Sequence, residues 1–205
     1  MVIITIAVGG IWYIKKGSKS NVDPTISVYN NANLGMSFSY PKILTLSEAS
    51  GEITLHHEVS FVHRDFCDFK GEGTTTMPTL TDFNVKLHIV NKNIVDTMRA
   101  ESPYIPAENF VNDNIITSPG FIDSFQSGNL KGFKIFEGAE GCGQTIYYLK
   151  VTNSKTIVIR NDLITVFTGA IDAQNEAAAE AVPNVINKQK SEVIFNSIIE
   201  TLKVR

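Results

Sequence analysis

The chain has 205 residues, 43% of them hydrophobic, with 18 Lys and Arg against 21 Asp and Glu and a net charge of −3. That composition excludes global disorder. The slight acidity, with no basic run longer than two residues, argues against a nucleic-acid surface, whose affinity needs many phosphate-neutralising cations.

Met1–Ile14 (MVIITIAVGGIWYI) carries no charge and is followed at once by Lys15 and Lys16. An uncharged apolar run at this position is a membrane-targeting signal far more often than part of a fold. Trp12 and Tyr13 suit a membrane–water interface. As a helix the run reaches about 21 Å at ~1.5 Å per residue, short of the ~30 Å hydrocarbon core, and it opens without the basic stretch of a secretory signal. Two readings stand: a short anchor that starts here, or a signal anchor whose basic start lies upstream. The second accounts for both the shortness and the missing charge. A first strand buried in the domain is the bland alternative. No Ala-x-Ala site follows and no Cys adjoins, so a retained anchor is expected rather than a cleaved or lipid-modified start. By the positive-inside rule alone, Lys15 and Lys16 would leave the following chain in the cytoplasm. Residues 15–24 are polar and hold Gly17 and Pro24, which reads as a linker. Residues 25–205 are of a length suited to one domain with a sizeable core.

The domain opens with a hairpin: Ile26 and Val28, a turn over Asn30–Gly35, then Met36–Tyr40, ended by Pro41. Glu52–His63 alternates Ile53, Leu55, His57, Val59 and Phe61 on one face against Thr54, His56, Glu58 and Ser60. A loop rich in Gly, Thr and Pro is expected from Asp65 to Thr81. Phe83, Val85, Leu87 and Ile89 then mark a further half-buried strand. Asn93 is placed to cap a helix over Ile94–Glu101, stopped by Pro103. Pro103–Gly128 shows little pattern and reads as a long loop with a short strand near Ile115–Ile116. Strands follow at Gly132–Glu137, Gln144–Thr152 and Thr156–Arg160, the last extending towards Phe167 and joined to its predecessor by a turn at Asn153-Ser-Lys. Tyr147-Tyr148 should put one ring in the core and one outside. Ala170–Ala181 favours helix on propensity, and Asn187–Lys203 spaces Ile194, Phe195, Ile198, Ile199 and Leu202 as an amphipathic terminal helix. The sum is an α+β fold: about seven mostly antiparallel strands with flanking helices.

Tyr29-Asn-Asn before Leu34-Gly-Met-Ser-Phe-Ser-Tyr-Pro41, the run of strands, and the ending Ile194-Phe-Asn-Ser-Ile-Ile-Glu-Thr-Leu202 together resemble the PsbP/Mog1-like group. That resemblance, over Tyr29 to Leu202, implies an α-β-α sandwich and, in many bacterial members, the same layout of anchor, linker and single domain. Plant relatives assist photosystem II and eukaryotic ones bind a small GTPase. No residue here matches those that would carry either role, so the resemblance implies a non-enzymatic binding or accessory domain and no more. The motifs specify fold rather than chemistry.

Cys67 and Cys142 are the two cysteines of the chain, each in a turn-like, Gly-rich setting. Outside the cell such a pair suggests one disulfide, closing a long loop; in a reducing cytoplasm the same pair would be two thiols. The competing function class is an exported enzyme or metal-binding protein. Gly141 and Gly143 flank Cys142 and leave N–H groups accessible, as an oxyanion site needs, with Glu140 close by. His63 and Cys67 stand four apart and could chelate with Asp65 or Asp68, but four ligands of suitable spacing are not visible. His57 and His63 on one continuous strand would be about 20 Å apart, too far for one ion. Asp65, Asp68 and Glu72 read as a solvated acidic loop. The resulting expectation is an extracytoplasmic domain of a bacterial cell membrane protein. It is held by residues 1–14, uses no cofactor or metal, and acts on an unidentified protein or small-molecule partner.

Overall fold

The computed structural model describes residues 25–67, 76–139, 141–170 and 173–205. The expected anchor and linker, Asp68, Glu72 and Glu140 lie outside the described residues. Among the described residues no helix is long and apolar enough to cross a membrane.

Ile26–Asn31 (β1) and Met36–Pro41 (β2) form the expected hairpin, in register from Ile26↔Pro41 to Asn31↔Met36. Asn31 organises its turn: Oδ1 accepts from the backbone N–H groups of Asn33 and Leu34, and Gly35 takes φ +65°, a conformation that suits glycine. Glu48 receives the Tyr29 hydroxyl at 2.7 Å and ties this hairpin to the next strand.

That strand is Thr45–Ala49 (β3), which the sequence pattern does not reveal. It pairs with Glu52–Arg64 (β4), which pairs in turn with Thr76–Val90 (β5). The loop expected up to Thr81 is therefore corrected: from Thr76 onward it is strand. Ile94–Glu101 (α1) begins at Asn93, whose Oδ1 accepts from the Asp96 N–H at 2.8 Å. Phe110–Val111 (β6) and Asn114–Ile115 (β7) form a small hairpin. Four strands then run as a meander: Ile122–Ser127 (β8), Leu130–Ala139 (β9), Cys142–Thr152 (β10) and Lys155–Asp162 (β11). The extension towards Phe167 is instead a 3-10 turn over Thr165–Phe167. Ala173–Glu180 (α2), Lys188–Thr201 (α3) and Lys203–Val204 (β12) complete the chain.

The main sheet has seven strands in the order β3-β4-β5-β11-β10-β9-β8, and every adjacent pair is antiparallel. The fold is α+β with three α-helices among the described residues. The membership differs from expectation. The first hairpin stands apart in a small sheet, β1-β2-β12, and the edges of the main sheet are taken by β3 and β8.

The central strands bury both faces. On β11, Ile157 and Ile159 join Leu55, Phe83, Val85, Phe195 and Ile198 on the α3 side, while Val158 joins Met98, Ile135 and Ile146 on the α1 side. Strands buried on both faces read as continuous apolar runs, which is what Ile157-Val158-Ile159 shows. The tyrosine pair follows the same rule, and the expectation of one exposed ring is corrected. Tyr147 packs on Phe195 in the α3-side core. Tyr148 is fully buried on the α1 side, its hydroxyl 2.7 Å from Ser102 Oγ. Burial pushes the Tyr148 phenol well above the usual tyrosine range.

One break in this regularity shapes the fold. Leu80 and Phe83 are both buried but three residues apart, where strand periodicity demands two. The register moves from His57↔Phe83 to Glu58↔Thr81, so Asp82 is an extra, bulged residue on β5. The bulge turns Asp82 inward, where it is fully buried. Its Oδ1 lies 2.7 Å from His57 Nδ1 and its Oδ2 accepts from the Ile186 N–H at 2.7 Å. Replacing Asp82 by Ala leaves the buried Ile186 N–H and the half-buried His57 ring without their partner. The expected loss is about 3 kcal/mol of unfolding free energy, measured by urea titration, whereas Asp65→Ala on the surface should cost well under half of that.

Candidate functional site

Three places carry chemistry: the cysteine corner, a polar network beside α1, and a cleft beside Asp82.

At the corner, Cys67 and Cys142 are joined in a disulfide across 75 residues, with Cα atoms 5.8 Å apart. Cys142 is the first residue of β10, not a turn residue as expected. Asp65 Oδ1 accepts from the Cys67 N–H at 2.9 Å and so shapes the approach to the bridge. The Thr165 hydroxyl lies 3.1 Å and 3.2 Å from the two sulfurs. In the disulfide neither sulfur is a thiolate, the form needed for nucleophilic attack or metal ligation. The glycines flanking Cys142 have a packing reason instead. Gly143 stands opposite Gly138 in the β9–β10 ladder, at φ +133°, and a side chain there would fall 2.1 Å from the Glu137 carbonyl oxygen. The Gly143 carbonyl is also used, accepting from the Leu163 N–H.

The histidines are not brought together. His57 is committed to Asp82, and His56 points to the opposite face of β4, as alternation predicts. His63 stacks on Phe66 with ring centroids 4.8 Å apart, and its two nitrogens meet the carbonyl oxygens of Arg64 and Thr79. Both ring nitrogens are thus turned to backbone carbonyl oxygens rather than towards Cys67 or another histidine. Among the described residues no group of three or more His, Cys, Asp or Glu is arranged to hold a metal.

Beside α1, Glu101 binds Arg160 Nη2 at 2.6 Å and lies 3.4 Å from His88 Nε2. Burial opposes ionisation of Glu101, but the Arg160 hydrogen bond and the charges of His88 and Arg160 outweigh it and hold the carboxyl below its usual range.

The cleft lies between the α3 side of the sheet and the first turns of α3. Its volume is about 270 Å³, and Asp82, Thr145, Asn161, Phe167, Ile186 and Ser191 are among its lining residues. That is slightly below the ~300–1,000 Å³ usual for small-molecule sites. Both Asp82 oxygens are occupied by structural donors, so this carboxylate is not a free base. Asp162, also on the wall, accepts from the Asn84 amide at 2.6 Å. Lys188 and Glu192 line the cleft from exposed positions on α3, where water levels their chemistry. Inside, the hydroxyls of Thr145 and Ser191 and the amide of Asn161 line it beside the apolar Phe167 and Ile186, with the Asp162 carboxyl on the wall. No thiol or imidazole lines the cleft. Such a set can hold a molecule by hydrogen bonds. Sequence reasoning missed this cleft. Its one visible signal was the three-residue step from Leu80 to Phe83.

Two outcomes follow. Replacing both cysteines by Ala should lower unfolding free energy by about 4 kcal/mol, from chain entropy for a loop of this length, and thermal melts with and without reductant check it. A carboxyl depressed in the folded state adds stability above its unfolded value of about 4.5 and loses it as pH falls through the lower, folded value. In Arg160→Gln the Glu101 carboxyl should titrate at higher pH, so the acid limb of stability moves up in pH; melting temperatures across the acid range read this.

Among known proteins, the sequence matches no family model and no curated protein. A solved structure similar in part is a protein of Bacteroides thetaiotaomicron determined at 1.50 Å, 12% identical, with a TM-score of 0.44. The match covers 87% of this chain, which spans 48% of that one.

Proposed function

We propose that the chain is a non-enzymatic binding or accessory module of PsbP/Mog1-like type, held at a bacterial membrane by residues 1–14 with its domain on the extracytoplasmic side. The Cys67–Cys142 disulfide carries this reading. Structural disulfides form and persist in oxidising compartments and are rare in the cytosol, which weighs against the direction that Lys15 and Lys16 alone would favour.

Two further features support it. Helices flank the main sheet, with Met98 of α1 packed on one face and Phe195 of α3 on the other, which agrees with the α-β-α layering the resemblance implies. The cleft beside Asp82 offers the hydroxyls of Thr145 and Ser191 and the amide of Asn161 to a ligand, which suits a binding role.

Thiol titration of the folded, unreduced protein should find no free thiol, and two after reduction. Two free thiols at the outset would remove the support for export and reopen a thiol-enzyme reading centred on Cys142. Protease added to intact spheroplasts should degrade the domain; protection until lysis would place it in the cytoplasm and overturn the proposed topology.

A further inference from the structure

The described fold begins at Thr25, whose carbonyl accepts from the Lys42 N–H at 2.8 Å. The residue after Lys42, Ile43, is 45% exposed. Across from it on α3 stands Val193, 64% exposed. Between them runs a groove of about 480 Å³ lined by Ile43, Val185, Ile186, Lys190, Val193 and Ile194, with Asn184 and Gln189. Its lining holds one charged side chain, Lys190, and that charge is positive. Lys190 Nζ donates one hydrogen to the Val185 carbonyl at 2.8 Å, which leaves two for another acceptor. Lys42, exposed beside Ile43, adds a second cation.

We infer that this groove docks on an anionic lipid surface, with Ile43 and Val193 entering the boundary between headgroups and acyl chains and Lys42 and Lys190 at the phosphates. The inference rests on the membrane tether proposed above. The occupant follows from where the described chain starts. Ten residues, 15–24, separate the apolar run from Thr25, and fully extended they reach about 35 Å. A domain of this size has a radius of gyration of about 16 Å, so the tether is no longer than the domain is wide. The face beside Thr25 is thereby the part of the domain nearest the tether and stays within its reach of the bilayer. An apolar pair rimmed by lysines is the composition that binds such a surface by burial and by attraction to acidic headgroups together.

The test uses the whole chain with Trp12→Phe, so that a single introduced tryptophan reports. It is reconstituted in vesicles of phosphatidylcholine with or without phosphatidylglycerol. Ile43→Trp and Val193→Trp should be quenched by brominated lipid in the anionic vesicles, several-fold more than Ile116→Trp, an exposed position in the segment after β7. A Lys42→Glu, Lys190→Glu pair in the same background should reduce that quenching several-fold. A chain that co-floats with vesicles while positions 43 and 193 stay unquenched overturns the docking and leaves the tether standing. A chain that does not co-float overturns both. Blue-shifted emission from the Ile43→Trp chain that lipid does not quench overturns the docking too, because the chain's own residues or a second copy then cover the groove.

Discussion

The Asp82 carboxylate is the one charged side chain that the described fold buries completely, and the placement of α3 depends on it. Taking a carboxylate out of water costs several kcal/mol, which only well-aligned hydrogen bonds offset. Here those bonds come from two separate parts of the chain. His57 belongs to β4, and the Ile186 N–H belongs to the segment leading into α3. Asn187 follows directly and caps the helix, its Oδ1 accepting from the Lys190 N–H. The start of α3 is thus fixed against the sheet at its first turn. From that start, helical spacing carries Phe195, Ile198 and Ile199 onto Leu55, Phe83 and Val85, and the helix end delivers Lys203 and Val204 to pair with Ser37 and Met36. A bulge of one residue therefore reaches through α3 to the small sheet on the far side.

What was legible in the sequence were the elements whose local pattern agrees with their burial. The Ile94–Glu101 helix, its Asn93 cap, the first hairpin and the β10–β11 hairpin all belong to that class. The edge strands β3 (TLSEA) and β8 (IDSFQS) escaped because an edge strand need bury little; β3 has no buried residue and β8 has one. Thr76–Thr81 escaped because its strand conformation is imposed by pairing with β4, not by its own composition. The cleft was the least legible of all. It is assembled from β5, β10, β11, the 3-10 turn and α3, and no short motif spans residues so far apart.

The extent of strand pairing accounts for where the covalent bridge stands. β11 pairs with β5 only from Val85 to Val90, and β3 pairs with β4 only up to His56. Beyond those points β4 and β5 continue as a two-stranded arm with no neighbour in the sheet on either side. A two-stranded ribbon is marginally stable in water. The arm is supported by one small cluster, Val59 and Leu80 against Val166, Phe167, Ala179 and Val185, and by the bridge from Cys67, just past the arm, to the first residue of β10. The disulfide thus fastens the part of the sheet that hydrogen-bonded neighbours do not hold. Thr165, the residue in contact with both sulfurs, belongs to the same 3-10 turn that supplies Val166 and Phe167 to that cluster. Opening the bridge would loosen the turn and the arm together, and with them Phe167, one wall of the cleft. A bond so placed holds the arm, the turn and one wall of the cleft in a single arrangement.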